Sequence, residues 1–191
     1  MKPIEFGPWH DLTGMTIDQV AASIDTNINT FAEMRPVDEA IIACGQKTRK
    51  LDILDYGCGL GRNCLGIVKH SDKWSVYGYD SPQMLEYASE VVGEQKRIFL
   101  TGSWEKLKES MFDAVLCCLV LQHMEIGLVK TRLGEFARIA PRLVVYGKRQ
   151  HDHGYNLWKL MGGMFKLEMS DYKFQIDGPG EEHSLVVYSM K

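Results

Sequence analysis

The sequence predicts an α/β fold of three layers, in which helices cover both faces of a mostly parallel, seven-stranded sheet that ends in an antiparallel hairpin. From residue 51 onward, short apolar runs of strand length alternate with helical patterns. Such alternation is typical of a parallel sheet covered on both faces. The last two strands have no helix between them and are joined by the turn-forming residues 177–180, which predicts that they pair antiparallel.

The predicted elements cover most of the chain. Apolar residues spaced as on one helix face predict a helix from Thr16 to Met34, and Thr16 with Gln19 has the pattern of a capping box. A second helix is predicted over 37–47. The strands are predicted at about 51–56, 74–79, 97–101, 114–119, 143–146, 165–176 and 185–190. The helices between them are predicted at about 62–70, 82–92, 105–108, 127–139 and 155–161.

Length and composition indicate one domain, because 191 residues show neither internal repeats nor a change of composition. The formal net charge of −3 disfavours nucleic acid as the main partner, since proteins that bind it usually carry a basic stripe. The longest apolar run, 114–121, has the length of a buried strand and falls short of the roughly 18 residues of a membrane helix. The start of the chain has no signal-peptide pattern, so we expect a soluble, cytoplasmic protein without a membrane anchor.

The five cysteines lack the spacing of a metal site or a disulfide framework. Cys117 and Cys118 are neighbours on a predicted strand, so their side chains should point to opposite faces of the sheet. We expect the cysteines to be small buried hydrophobes in a reducing compartment, and we expect no metal site.

A glycine-rich turn follows the first predicted strand, with glycine at positions 57, 59 and 61. Gly57 permits a sharp turn, and Gly59 lets a ligand touch the backbone without meeting a Cβ. Open α/β folds bind ligands at this carboxyl edge of the sheet. A dinucleotide-binding turn would have its third glycine at position 62, where this chain has Arg62. The spacing therefore disfavours a nicotinamide cofactor.

Three further segments reach the same edge. Asp80 ends the second strand, and its carboxylate can accept hydrogen bonds from both hydroxyls of a ribose. Ser81 and Pro82 are suited to the N-cap and first position of the next helix, so capping does not require Asp80. Segment 102–104 follows the third strand, and segment 119–123 follows the fourth.

The order and spacing of these segments resemble the class I S-adenosylmethionine-dependent methyltransferases. The G-x-G-x-G turn preceded by Asp55 resembles their first motif, and Phe112-Asp113, an apolar strand and an exit ending in His123 resemble their fourth. The resemblance covers roughly 53–146 and implies a Rossmann-like fold with S-adenosylmethionine as cofactor. The cofactor contacts that it implies are Asp55, Gly57, Cys58, Gly59, Gly61, Asp80, Ser81, Gly102, Ser103, Trp104 and Leu119.

The same resemblance implies an organisation within the single domain. N-terminal helices occupy 1–50, the cofactor-binding core occupies 51–146, and a substrate-side loop with the last strands occupies 147–191. In the family, the segment after the third strand contacts adenine, and an acid there commonly binds the exocyclic amine. Ser103 departs from that pattern, so the contact would come from the backbone. Trp104 either stacks on the adenine or anchors the short helix that follows.

The implied reaction is in-line transfer of a methyl group from S-adenosylmethionine. The sulfonium already activates that group, so the protein mainly orients the reactants, and no Ser-His-Asp triad is required. An OH or NH acceptor must still lose a proton. His123 is the candidate general base, with a purely structural histidine as the alternative.

A small molecule is the expected acceptor. The chain lacks the Asn/Asp-Pro-Pro-Tyr/Phe tetrapeptide and the Pro-Cys pair of enzymes that methylate DNA bases. The acceptor atom (O, N, S or C) and the oligomeric state stay open. The alternatives are a non-catalytic, methyltransferase-like binding module or partner subunit and, less favoured, an NAD-dependent oxidoreductase. The residues expected around the acceptor and over the cofactor are His151, Asp152, His153, Tyr155, Asn156 and Trp158, with Trp9 and His10.

Overall fold

A computed structural model describes residues 12–24, 49–148, 156–177 and 181–190 of the chain. The strands are β1 (Leu51–Tyr56), β2 (Trp74–Tyr79), β3 (Ile98–Thr101), β4 (Ala114–Cys118), β5 (Arg142–Lys148), β6 (Lys166–Asp177) and β7 (Glu181–Ser189). The helices in these ranges are α1 (Ile17–Ile24), α2 (Arg62–His70), α3 (Pro82–Val92), α4 (Trp104–Leu107), α5 (Ile126–Ile139) and α6 (Leu157–Gly162). A 3₁₀ turn, Leu121–His123, follows β4. Within the described ranges, no helix is long and apolar enough to cross a membrane.

All seven strands form one sheet in the order β3-β2-β1-β4-β5-β7-β6. The first five strands are parallel to one another, whereas β7 is antiparallel to both β5 and β6. The predicted α/β fold and its C-terminal antiparallel hairpin are confirmed. The order changes direction between β1 and β4, and open sheets of this kind bind ligands at the carboxyl ends of the strands beside such a switch point.

The sheet buries one apolar core on each face. Leu54 of β1 packs with Leu133 of α5 in one core, and Ile53 packs with Ile67 of α2 in the other. Cys117 belongs to the first core and Cys118 to the second, which confirms that these neighbours point to opposite faces. The cysteines in the described ranges are buried and form no disulfide with one another, namely Cys58, Cys64, Cys117 and Cys118.

The sequence located β1, β2, α2 and α3 at their observed bounds. β5 is longer than the predicted 143–146, because β7 pairs with it along its whole length from Arg142 to Lys148. β4 ends at Cys118 rather than at position 119, because Leu119 has a left-handed backbone with φ 58° and cannot continue an extended strand.

The predicted capping box of α1 is present. The Gln19 side-chain oxygen accepts from the Thr16 N–H at 2.8 Å, and the Thr16 hydroxyl accepts from the Gln19 N–H at 3.2 Å. This reciprocal pair satisfies two N–H groups at the helix start. The predicted continuation of this helix beyond Ile24 and the helix predicted over 37–47 lie outside the described residues.

Candidate active site

The turn after β1 contains three glycines with left-handed backbone. Gly57, Gly59 and Gly61 have φ values of 76°, 53° and 76°. Residues with a Cβ are strained in this region. The N–H groups of Gly57 and Cys58 both donate to the Tyr79 carbonyl at the end of β2, at 2.8 and 3.0 Å. The turn is therefore fixed to the neighbouring strand by the protein itself.

The three glycines of this turn differ in what surrounds them. A Cβ at Gly57 would lie 2.2 Å from Val120 Cγ2, and one at Gly61 would lie 2.4 Å from Val92 Cγ2. A Cβ at Gly59 would meet no atom of the described residues within 4 Å. Packing thus requires glycine at 57 and 61, whereas the space at Gly59 is left unfilled by the described part of the chain and can accept a ligand.

Asp80 joins the glycine turn to the start of α3. Its carboxylate accepts from the Gly59 N–H at 2.8 Å and from the Ser81 N–H at 2.7 Å, and its side chain is buried. These bonds use two of the roughly four lone-pair sites of a carboxylate. The cap of α3 is Ser81 itself, whose hydroxyl accepts from the Met84 N–H at 3.2 Å. Asp80 is therefore not the helix cap.

Asp55 is a fully buried carboxyl group beside the glycine turn. Its Oδ2 accepts from the Cys64 thiol at 3.4 Å, and its Oδ1 is buried without a hydrogen-bond partner among the described residues. Burial raises the pKa of Asp55 to about 7, and the nearby charge of Asp80 also raises it. Side-chain hydrogen bonds from Cys64 and Asn63 lower the pKa but do not outweigh burial. A buried carboxyl oxygen with no partner is costly unless a ligand satisfies it.

Two thiols pack under the turn in a way that the sequence analysis missed. A Cβ at Gly78 would lie 3.0 Å from Cys58 Sγ and 3.2 Å from Cys64 Sγ. Hydrogen bonding to Cys58 and burial hold the pKa of the Cys64 thiol well above its ordinary value, so it stays protonated and donates to Asp55. A glycine inside a strand often marks such a close approach, and that signal was present at Gly78.

The segment after β3 continues the same edge. The N–H of Ser103 donates to the Thr101 hydroxyl at 3.2 Å, and the Ser103 side chain makes no capping bond to α4. Gly102 is exposed and lies against α3, since a Cβ there would be 3.4 Å from Pro82 Cγ. This segment therefore presents mainly backbone groups at the edge of the sheet.

Trp104 is buried in an aromatic cluster on the α5 face of the sheet. Its ring lies 5.4 Å from the rings of Tyr56 and Tyr79, and the Arg132 guanidinium lies 4.6 Å from its centroid. Its indole N–H donates to Glu135 Oε2 at 3.0 Å. These contacts favour the interpretation of Trp104 as the anchor of α4 over stacking on adenine.

The exit of β4 has a strained backbone. Leu119 has a φ of 58°, and its N–H donates to the Tyr146 carbonyl at 2.7 Å. A left-handed conformation costs a leucine roughly 1–2 kcal/mol, and strain of this kind is concentrated at functional sites. Leu119 therefore turns the chain sharply where the sheet meets the proposed ligand edge.

His123 ends the 3₁₀ turn after β4 and is half-buried. Its Nε2 lies 3.2 Å from the side-chain nitrogen of Gln122, a buried residue. The Gln122 oxygen would lie 2.6 Å from a Cβ at Gly147, so glycine in β5 makes room for this amide. The sequence analysis identified His123 and missed Gln122 and Gly147.

The described N-terminal segment covers one side of the glycine turn. Leu60, within the turn, packs with Val20 of α1 and Met84 of α3. The Tyr87 hydroxyl lies 2.8 Å from the Met15 carbonyl and donates to it. Closure over the cofactor was predicted from Trp9 and His10, which lie outside the described residues, as do His151, Asp152, His153 and Tyr155.

Two predicted residues on the acceptor side are described. Asn156 caps α6, because its side-chain oxygen accepts from the Lys159 N–H at 2.8 Å. The Trp158 ring nitrogen is buried and has no hydrogen-bond partner among the described residues. The Asn156 side-chain oxygen is thus used by the helix cap, whereas the Trp158 ring N–H could donate a hydrogen bond to a ligand.

Comparison with known proteins finds one family model that matches the cofactor-binding core. Residues 53–141 match a family model described as a methyltransferase domain, which spans the glycine turn, Asp80 and the exit of β4. Over this stretch the chain is similar to that family, in line with the resemblance of its motifs to class I S-adenosylmethionine-dependent methyltransferases. No curated protein matches it.

Solved structures of methyltransferases share the fold of this chain at low sequence identity. Magnesium protoporphyrin IX methyltransferase from Synechocystis PCC 6803, with bound S-adenosylmethionine, is 19% identical with a TM-score of 0.66, covering 87% of this chain and 82% of that one. A TehB-like methyltransferase from Corynebacterium glutamicum is 19% identical with a TM-score of 0.65, covering 92% and 100%. An O-methyltransferase family 2 protein from Planctomyces limnophilus, in complex with apigenin, is 14% identical with a TM-score of 0.65, covering 94% and 63%.

The match over 53–141 bears on the activities considered from the sequence. It supports methyl transfer from S-adenosylmethionine over a nicotinamide-dependent oxidoreduction. The arrangement fits that cofactor, because the turn offers open backbone at Gly59 and a buried acceptor oxygen on Asp55.

Proposed function

We propose that this protein is a methyltransferase that transfers the methyl group of S-adenosylmethionine to a small-molecule acceptor by in-line displacement. One observation carries the proposal. The Gly59 N–H is held by the Asp80 carboxylate at 2.8 Å, and no described residue fills the space beside Gly59. In the same region, Asp55 Oδ1 is buried without a hydrogen-bond partner among the described residues. This arrangement offers a cationic, ribose-containing ligand complementary groups at one edge of the sheet.

Each part of the cofactor has a proposed holder. The buried Asp55 oxygen suits the ammonium group of the methionine portion, because a buried carboxylate needs an opposite charge or a donor. Asp80 suits the ribose hydroxyls, and Gly102 with Ser103 offers backbone to the adenine. Gly57, Cys58 and Gly61 hold the shape of the turn, Ser81 holds the start of α3, and Leu119 lies at the exit of β4.

Chemistry at the acceptor requires little from the protein beyond orientation. When bound, S-adenosylmethionine supplies an electrophilic methyl group on a sulfonium. Orientation of two reactants can contribute roughly 7–11 kcal/mol to catalysis. His123, at the exit of β4, is the proposed general base for an OH or NH acceptor. Its neighbour Gln122 engages Nε2 of the ring and restricts its rotation.

The acceptor class follows from charge and from the absence of base-methylation motifs. A chain with a net charge of −3 has no general attraction for a polyanion. The complex of the Planctomyces limnophilus O-methyltransferase with apigenin supports a small organic acceptor. Trp158, with its buried ring N–H, is proposed to line the acceptor side.

Calorimetry with S-adenosylhomocysteine tests the cofactor site. We expect micromolar affinity, near −8 kcal/mol, and no binding of NADH. Asp80→Asn should weaken binding by about fivefold or more, the equivalent of one hydrogen bond. Asp113→Asn is the matched control, because Asp113 also binds a backbone N–H, that of Asp52 at 2.9 Å, but at the opposite end of β1. Equal affinity in Asp80→Asn and wild type would contradict the assignment.

Transfer of a labelled methyl group tests the reaction. The enzyme is incubated with methyl-labelled S-adenosylmethionine and separate pools of phenols, amines, thiols, RNA and protein. Label in a small-molecule pool supports the proposal, and label in RNA or protein alone contradicts it. Binding of S-adenosylhomocysteine without transfer to any pool would favour the second candidate, a non-catalytic binding module. With an OH or NH acceptor, His123→Gln should lower kcat by about a hundredfold.

A further inference from the structure

Helix α5 carries a buried ion pair beneath the proposed cofactor edge. Arg132 and Glu135 face the sheet with side chains that are 10% and 19% exposed, and Arg132 Nη1 lies 2.6 Å from Glu135 Oε2. Nothing in the proposed reaction uses these residues. Apolar side chains of similar size would fill the same space at a lower desolvation cost, so packing alone does not account for the pair.

The pair is joined to both cofactor segments through aromatic residues. Arg132 Nε donates to the Tyr56 hydroxyl at 3.0 Å, and Tyr56 directly precedes Gly57 of the glycine turn. Glu135 Oε2 accepts from the Trp104 indole N–H at 3.0 Å, and Trp104 directly follows Ser103. The ion pair therefore bridges the glycine turn and the segment proposed to contact adenine.

Directionality distinguishes these contacts from ordinary packing. The Trp104 ring is held edge-on by the Glu135 carboxylate and from one face by the Arg132 guanidinium, 4.6 Å from its centroid. Hydrogen bonds to charged groups are stronger and more directional than apolar contacts. Helix α4 has only four residues and too few internal hydrogen bonds to fix its own orientation. Its position, and that of Ser103 before it, is set by where Trp104 is held.

We propose that Arg132 and Glu135 are positioning residues that set, through Trp104, the backbone of the Gly102–Ser103 segment for recognition of the adenine amine. The inference rests on the proposed function, in which this segment contacts adenine. The carboxylate and guanidinium do not touch the cofactor. They restrict the rotation of the indole ring, and the ring restricts the backbone that precedes it.

The test compares two ligands that differ at one edge of the base. S-adenosylhomocysteine has the exocyclic amine and an N1 that accepts, whereas S-inosylhomocysteine has a carbonyl oxygen and an N1–H that donates. Calorimetry gives the ratio of the two dissociation constants for wild type, Trp104→Phe, Glu135→Gln and the double variant Arg132→Met with Glu135→Gln. Trp104→Phe removes the indole N–H and keeps an aromatic ring, and the double variant avoids leaving one buried charge unpaired. Ile139→Val, in the same core, is the control for a general loss of packing.

Wild type should bind the adenine ligand more tightly than the inosine ligand. The dissociation constant of the inosine ligand divided by that of the adenine ligand should fall by about fivefold or more in the three network variants, the equivalent of one lost hydrogen bond. It should stay at the wild-type value in Ile139→Val. A ratio unchanged in folded network variants would overturn the inference, as would a wild-type ratio near one. Failure of wild type to bind S-adenosylhomocysteine would instead overturn the proposed cofactor site.

Discussion

At the scale of single residues, the ionisation of Asp55 affects stability because its pKa differs between the folded and unfolded chain. The pKa is about 7 in the folded protein, raised by burial, against an ordinary value of 3.8. Between these values, the unfolded chain releases its proton while the folded chain keeps it. The free energy of unfolding should therefore fall as pH rises from about 4 to about 7, by an amount on the order of 4 kcal/mol.

We expect Asp55→Asn to remove most of this decline, because an amide does not titrate. Urea unfolding of the ligand-free protein between pH 5 and 8 measures the free energy of unfolding. The stability of the variant relative to wild type should increase as pH rises. Asp72→Asn, at an exposed aspartate, is the control. Parallel pH profiles for wild type and Asp55→Asn would show that burial does not hold the Asp55 proton.

Gly57 and Gly59 should respond differently to alanine. Both substitutions place a Cβ at positive φ, at a cost of roughly 1–2 kcal/mol. Gly57→Ala adds a clash with Val120, so it should lose more stability, part of which Val120→Ala should restore. Gly59→Ala meets no atom of the described residues and should mainly abolish binding of S-adenosylhomocysteine. Melting temperatures and calorimetry measure both effects. Full ligand affinity in Gly59→Ala would contradict the proposed backbone contact.

At the scale of elements, a mutation at the start of α3 can distinguish whether the Ser81 hydroxyl caps the helix or binds the cofactor. The Ser81 hydroxyl accepts from the Met84 N–H at 3.2 Å. Ser81→Ala should therefore lower the free energy of unfolding by about 1 kcal/mol. Ser81→Asp should keep most of the wild-type stability, because aspartate can also cap the helix. We expect the affinity for S-adenosylhomocysteine to change by less than about twofold, since the hydroxyl is used by the cap. A large loss of affinity without a loss of stability would assign the hydroxyl to the cofactor instead.

The sequence predicted best those elements whose signals are local. β1, β2, α2 and α3 were located at their observed bounds, because apolar runs, glycines and a Ser-Pro cap mark both their cores and their ends. β5 was predicted too short, since its polar ends become strand only through pairing with β7. The ion pair of α5 was missed because helical periodicity identifies an inward face by its apolar residues, and Arg132 lies on that face as a charge.

At the scale of the whole molecule, the hairpin should be needed for folding of the core. β7 pairs with all of β5 and contributes buried residues to both cores, including Leu185 and Val186. A chain that ends at residue 148 would expose the edge of β5 and open both cores. We expect it to show no cooperative thermal unfolding. A truncated chain that unfolds cooperatively and binds S-adenosylhomocysteine would mean that the cofactor core folds independently and that the single-domain prediction is wrong.

The site was predicted from sequence as a set of positions at one edge of the sheet rather than as a set of contacts. The glycines of the turn, Asp80 and the exit of β4 were predicted because strand ends and turns mark that edge. Roles within it depend on tertiary neighbours. The role of Trp104 depends on its hydrogen bond to Glu135, which lies 31 residues away along the chain. Likewise, Gly78 and Gly147 matter because of side chains from other elements, Cys58, Cys64 and Gln122.

The bonds that tie the glycine turn to Tyr79 and Asp80 have a consequence for kinetics. The turn is already folded in the free protein, held by three N–H donors to β2 and the residue after it. A ligand therefore meets a preformed surface, and little ordering of the turn remains to slow its arrival. Association rates should then be similar for all nucleosides that fit the site. Discrimination among these nucleosides should appear in their dissociation rates.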